Sequence, residues 1–201
     1  MFIGAKTLVC LLLAQVSWAD SFAAIEAESR KVQSIEAEFT QTKELKMLSR
    51  PIRSEGRLYY RRPAEFRWEY SAPIRSVLVK NKQGIKRVTW RGGKFEPEAE
   101  AKLMPVQRVL EQLEQWLRGD FSQSTVFEAK LVQGSPARVE LRPREKSLAQ
   151  YIQVVHVLLS NTPGIVDGVE IWEGPDSVTR IKLKHVRLNQ PLPPHVFELP
   201  K

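Results

Sequence analysis

The chain has 201 residues, 42% of them hydrophobic and 27% charged, which is the composition of a folded globular protein and excludes a disordered or fibrous one. Its single cysteine, Cys10, excludes an internal disulfide framework and a thiolate zinc cluster. Lys and Arg number 31 against 23 Asp and Glu, a formal charge of +8, which admits nucleic acid, an anionic membrane surface or plain solubility as readings.

The first residues read as an address. Lys6 supplies a positive start, residues 7–14 form an apolar run, and Ser17-Trp18-Ala19 is a small-x-small cleavage site. This predicts a secretory signal peptide over 1–19, cleaved after Ala19. The run is too short to span a bilayer. Thr7-Leu8-Val9 ahead of Cys10 is a poor lipobox, so the expectation is a soluble exported protein and not an anchored one. Removing 19 of the 201 residues leaves one domain over 20–201, with 182 residues, no cysteine and a charge of +7. A chain of that length buries roughly 70% of its unfolded surface, enough to stand without cross-links. Export also moves the expected partner from nucleic acid towards lipid.

Along that domain, residues 21–32 predict an amphipathic helix capped by Asp20 or Ser21, with Phe22, Ala24 and Ile25 on one side. From Ile35 the period becomes two, with Ala37, Phe39, Gln41 and Lys43 alternating with Glu36, Glu38, Thr40 and Thr42. Strands follow over 52–60, 65–70, 75–80 and 85–90, separated by Arg62-Pro63-Ala64, Ala72-Pro73 and the loop 81–84. Arg91-Gly92-Gly93 ends that run. Over 104–117, Val106, Val109, Leu110, Leu113, Trp116 and Leu117 recur at helical spacing, with Pro105 in the first turn and Gly119 just past the end. Strands are predicted again over 125–133, 137–142, 151–159, 165–172 and 178–188, with a last β-rich piece at 196–199. Ile181 and Leu183 fall out of phase with Val186 and Leu188, which predicts a bulge near His185. The sum is an α+β fold: one curled antiparallel sheet of about eleven strands with two principal helices against one face.

The chemistry-bearing patterns are sparse. His156, His185 and His195 lie in no metal-ligand spacing. The sequence has no nucleophile elbow, P-loop or dinucleotide fingerprint. Glu36, Glu38, Glu65 and Glu69 admit a glycosidase carboxylate pair, but acids at i, i+2 more simply line the solvated face of a strand. No enzyme, metal or cofactor is expected. The informative stretch is 58–73, LYYRRPAEFRWEYSAP, where Phe66, Trp68 and Tyr70 alternate directly after an Arg-Arg-Pro turn. Such a stripe is either ordinary core or, in a curled sheet, the lining of an apolar hollow.

Phe39-Thr40-Gln41, Gly56-Arg57-Leu58, Arg62-Pro63, Phe66-Arg67-Trp68-Glu69-Tyr70 and Pro73 resemble the LolA-type periplasmic lipoprotein carriers, and Leu188-Asn189 with Val196-Phe197-Glu198-Leu199 resembles that family's closing strand. The resemblance implies an incomplete eleven-stranded β-barrel covered by helices. It implies a carrier that takes acylated lipoprotein, or a related lipid cargo, from an inner-membrane ABC-type release complex and passes it to an outer-membrane LolB-like receptor, as a monomer. Leu58, Tyr60, Phe66, Trp68 and Tyr70 then line the cavity and its rim. Phe22, Ile25, Leu110, Leu113 and Trp116 belong to lid helices, and Arg62 latches that lid through helix C-terminal carbonyls. Residues 80–93 depart from the family pattern in the mid-barrel strands, and the sequence ends at Lys201, sooner after Phe197 than in typical carriers. The alternative expectation is a carrier of a glycolipid or another lipid. An RseB-type sensor module and an envelope hydrolase are the competing readings. The first usually carries a second domain, and the second needs a site that the sequence does not present.

Overall fold

The computed structural model describes residues 18–99 and 103–200, and within the second helix it leaves aside the side chains of 104–106, 108 and 109. The signal segment read over 1–19 lies outside these residues except for Trp18 and Ala19. Those two pack on the core, where the Trp18 indole donates to the Ser160 carbonyl at 2.9 Å.

Eleven strands form one antiparallel sheet: β1 (Ser34–Leu45), β2 (Ile52–Arg61), β3 (Glu65–Ala72), β4 (Ser76–Asn81), β5 (Gly84–Arg91), β6 (Lys94–Pro97), β7 (Phe127–Val132), β8 (Arg138–Pro143), β9 (Val154–Leu159), β10 (Val166–Trp172) and β11 (Ser177–Leu188). Their order is β6-β5-β4-β3-β2-β1-β11-β10-β9-β8-β7. The two meanders therefore join through the first and last strands, while β6 and β7 remain as free edges of an unclosed half-barrel. Helix α1 (Phe22–Arg30) precedes the sheet, α2 (Met104–Leu117) links its two edge strands, and the short α3 (Lys146–Ala149) lies between β8 and β9.

Local chemistry explains the helix ends. The Ser21 hydroxyl accepts from the Ala24 amide at 3.1 Å, a conventional N-cap. Ser21→Ala should lower stability by about 1 kcal/mol, read as a lower urea midpoint at unchanged slope. Pro105 sits in the first turn of α2 and Gly119, at φ +74°, ends it as expected. Gly119 also rests on α1, since a Cβ there would lie 2.8 Å from Ser29 Oγ and 2.9 Å from Glu26 Cα.

The strand period sorts side chains into two packed layers. On the inner face Leu58, Tyr60 and Phe66 meet Leu110 of α2. On the outer face Val77, Val79 and Val88 meet Leu192 and Phe197 from the C-terminal segment. This explains why β4 is apolar on both faces. The bulge near His185 is present: Glu38 pairs with Lys184 and Glu36 with Arg187, so two residues oppose Ala37, and His185 has φ +50°.

Three readings need correction. Gly92-Gly93 does not end the strand run. With φ +54° and +87° it makes a hairpin turn of the kind that demands positive φ at both central positions, and β6 returns from it. Residues 196–199 read in sequence as a closing strand, but Pro194–Phe197 form a 3-10 turn that caps the outer face. Arg67 donates to the carbonyls of Val196 at 3.1 Å and Glu198 at 2.8 Å, and the Arg61 guanidinium lies 4.7 Å from the Phe197 ring centre, so the tail is held by the outward residues of β2 and β3. Residues 146–149, read as connection, form α3.

Candidate functional site

A cavity of about 430 Å³ lies between the inner face of the sheet and α2. Leu78 of β4 and Phe127 of β7 both line it. Those strands are eight steps apart in sheet order, roughly 38 Å if the sheet were flat. The sheet therefore curls around the cavity, and α2 roofs it.

Of the residues expected at the site, Phe66, Trp68 and Tyr70 line the floor, and Leu110, Leu113 and Trp116 line the roof. The floor is one aromatic stack. Phe39 lies 4.3 Å from Trp68 and 5.2 Å from Tyr70, ring centre to ring centre, with Phe66 beyond Trp68 at 6.2 Å. Gly56 makes room for it: a Cβ there would stand 1.9 Å from the Glu69 carbonyl oxygen and 2.6 Å from the Phe39 ring. The motif residues Phe39 and Gly56 are thus cross-strand partners that set the floor.

The remaining expected residues sit elsewhere. Leu58 and Tyr60 are buried beside Leu110 on the same face, level with their cross-strand partners Trp68 and Phe66 but covered and outside the cavity lining. Phe22 and Ile25 pack on the β7–β9 cluster, with the Phe22 ring 6.4 Å from Phe121. Ile25 borders a separate small void beside Trp116.

Arg62 meets the end of α1. Its Nε donates to the Val32 carbonyl at 2.6 Å and a terminal nitrogen donates to the Ser29 carbonyl at 2.9 Å. These are carbonyls of the last turn and just beyond it, where the helix presents its negative end and has spare acceptors. A second tie went unread in the sequence. Lys80 of β4 donates to Glu114 of α2 at 2.6 Å, and the Glu114 side chain is 7% exposed. Among the described residues this ionic contact fixes α2 to the sheet, while Arg62 fixes α1.

Of the polar lining residues, Gln41, Lys43, Ser76, Glu173 and Thr179 lie towards one end of the strands, Arg87 lies opposite Leu78, and Gln112 comes from α2. Lys43 and Glu173 are paired at 2.9 Å and remain 35% and 31% exposed, so this end faces water. Burial pushes the Glu173 carboxyl up, but Lys43, Ser177 and Thr179 together outweigh it and hold the group below its ordinary value. Tyr70 donates to Gln41 at 2.8 Å, and burial raises its phenol, as it does that of Tyr60. The cavity lining is therefore mainly apolar and its mouth is charged. Among the described residues no group of three His, Cys, Asp or Glu is placed to hold a metal ion.

No curated protein matches the chain in sequence. Among solved structures it is similar to a LolA superfamily protein from Nitrosomonas europaea, with a TM-score of 0.42 and 8% identity over 89% of this chain and 98% of that one. A DUF1329 family protein from Desulfovibrio piger gives 0.47 and 9% over 88% and 94%. A chain of the Pseudomonas aeruginosa MucA/MucB complex gives 0.46 and 14% over 90% of this chain and 61% of that one. The sequence model of one family, described as outer membrane lipoprotein carrier protein LolA, matches residues 30–200. That span runs from the end of α1 through every strand to the C-terminal tail, and on it the chain belongs to the LolA family.

Proposed function

We propose that this protein is a periplasmic carrier, exported and cleaved after Ala19, that shields the acyl chains of lipoproteins or a related lipid and delivers them from the inner to the outer membrane. One observation carries the reading: an apolar cavity of about 430 Å³, floored by a curled sheet and roofed by a helix that is tied down at single polar contacts. The family description, a lipoprotein carrier, points the same way. The donor in this reading is an inner-membrane ABC-type release complex, the acceptor a LolB-like receptor, and the carrier works as a monomer without cofactor.

The size of the cavity sets the mechanism. A water-sized group occupies roughly 30 Å³, close to a methylene, so the closed cavity has room for about one acyl chain. Each buried methylene is worth about 0.8 kcal/mol, and one long chain is worth on the order of 10 kcal/mol. A cargo with several chains enters only if the helices move. Breaking the Arg62 and Lys80 contacts then offsets part of the binding energy, and closure returns it when the cargo leaves.

The test is mass spectrometry of whatever ligand the protein retains after purification from the periplasm, together with extraction of labelled lipoprotein from spheroplasts. Bound acyl cargo and efficient extraction are expected. Leu113→Asp, which sets a carboxylate into the roof, should reduce extraction by roughly tenfold or more while the chain stays folded. A protein that holds no acyl ligand and extracts nothing would sink the reading.

A further inference from the structure

The large apolar side chains that stand in water are not scattered. Met47 is 86% exposed, Tyr151 72%, Ile74 63%, Ile52 48%, Leu48 43% and Trp90 38%. They come from sequence positions a hundred residues apart, yet an antiparallel meander places alternate connections at the same end. The strand registers put 46–51, 73–75, 92–93, 144–153 and 173–176 together at one end of the sheet: Lys43 pairs with Ile52, Leu45 with Ser177, Tyr70 with Ser76 and Arg91 with Lys94. All six exposed side chains lie in or beside those connections. The opposite end, with 62–64, 82–83, 133–137 and 160–165, carries none among the described residues.

This is also the end at which the cavity meets water. Lys43 lies two residues from the end of β1, Ser76 begins β4, Phe127 begins β7 and Glu173 follows β10, and all four line the cavity. The apolar tips therefore ring the mouth.

The ring is basic. Arg50, Arg75, Arg91 and Lys94 are exposed and make no ion pair among the described residues, and the Arg75 guanidinium lies over the Trp90 ring, 4.9 Å from its centre. Against them stand Glu44, Glu128, Glu145, Glu173 and Asp176, of which Glu44, Glu173 and Asp176 are already tied to Arg180, Lys43 and Lys46. Exposed apolar residues at loop tips, interleaved with unpaired cations, are what a bilayer surface of anionic lipid recognises: the cations meet the headgroups and the apolar tips enter the acyl boundary.

We propose that the mouth end docks on an anionic membrane surface, which sets the open end of the cavity at the bilayer where the donor complex and the acceptor receptor stand. The purpose of the docking rests on the carrier reading of the cavity, while the docking itself is measured separately. The protein and its variants are purified after export, so that all share one N-terminus, and floated with vesicles of phosphatidylcholine alone or mixed with phosphatidylglycerol. The unmodified protein should rise with the mixed vesicles only, and less at high salt. Each cation near such a surface contributes about a fivefold factor in partitioning, so R50Q/R75Q/R91Q should bind roughly a hundredfold more weakly. Met47→Asp with Ile74→Asp should also abolish flotation. Both variants should keep the unfolding midpoint and should bind a fluorescent fatty acid in solution as the unmodified protein does. Equal binding to both vesicle types, binding to neither, or a triple variant that floats unchanged would overturn the proposal, and binding to neither would leave the mouth as a protein-docking surface. Failure to bind the fatty acid in solution would instead count against the carrier reading and leave the vesicle result standing.

Discussion

Arg62→Leu should bind acyl cargo more tightly than the unmodified protein and release it roughly a hundredfold more slowly. The reason lies in what the guanidinium holds. Its two bonds, to the carbonyls of Val32 at 2.6 Å and Ser29 at 2.9 Å, exist only while α1 lies against the β2–β3 turn. Hydrogen bonds to a charged group contribute about 1.5–3 kcal/mol each. Losing both from a half-buried site weakens closure by about 3 kcal/mol, near a factor of a hundred. If cargo binds the opened form, its apparent affinity rises as closure weakens, because less of the binding energy goes into opening. The same change removes the force that expels cargo at the acceptor. Stopped-flow release of a fluorescent fatty acid, and transfer of lipoprotein to acceptor membranes, read the two sides. Arg62→Lys, which reaches one carbonyl at a time, should fall between. Unfolding by urea separates the effect from simple instability. Release and transfer at the normal rate would show that Arg62 is a surface residue that happens to face a helix end.

What the sequence disclosed and what it hid follow one physical line. Period two tells which face a side chain takes, so Phe66, Trp68 and Tyr70 were legible as one stripe. It does not tell which inward side chains a covering helix will bury. Leu58 and Tyr60 share the face of that stripe yet lie under α2 in packed core. Short elements hid behind their own turn residues: Gly92-Gly93 looks like a terminator until its paired positive φ values are seen to be those of a hairpin. The C-terminal Val196, Phe197 and Leu199 have strand composition, but prolines 193 and 194 lack the amide that a strand needs, and the segment turns instead. Contacts between distant segments were invisible. Lys80 lies in the stretch that departs from the family pattern, and its partner is on α2, 34 residues away. The mouth was hidden for the same reason: Met47, Ile74, Trp90 and Tyr151 come to the same end of the sheet only when the meander returns its connections there.

The Lys80–Glu114 pair gives the second large expected effect. The two side chains are 22% and 7% exposed, so the pair is mostly out of water. Removing one partner of such a pair leaves the other charge stranded, and Lys80→Met should reduce stability by roughly 2–3 kcal/mol. The chain has one way to lower that cost, because Glu114 is carried on the roof and not on the sheet. If α2 lifts, the carboxylate regains water and the cavity beneath is exposed. Lys80→Met should therefore show two changes together, a lower urea midpoint and a faster uptake of fluorescent fatty acid. Adding Glu114→Gln removes the stranded charge and should return both towards the original values, to within about 1 kcal/mol in stability. The combination separates a latch from an ordinary buried pair. A buried pair with no part in opening would lower stability and leave uptake unchanged, and the second substitution would repair stability alone. Unchanged midpoint and unchanged uptake in Lys80→Met would mean that α2 is held by Leu110, Leu113 and Trp116 alone, and that closure depends on Arg62.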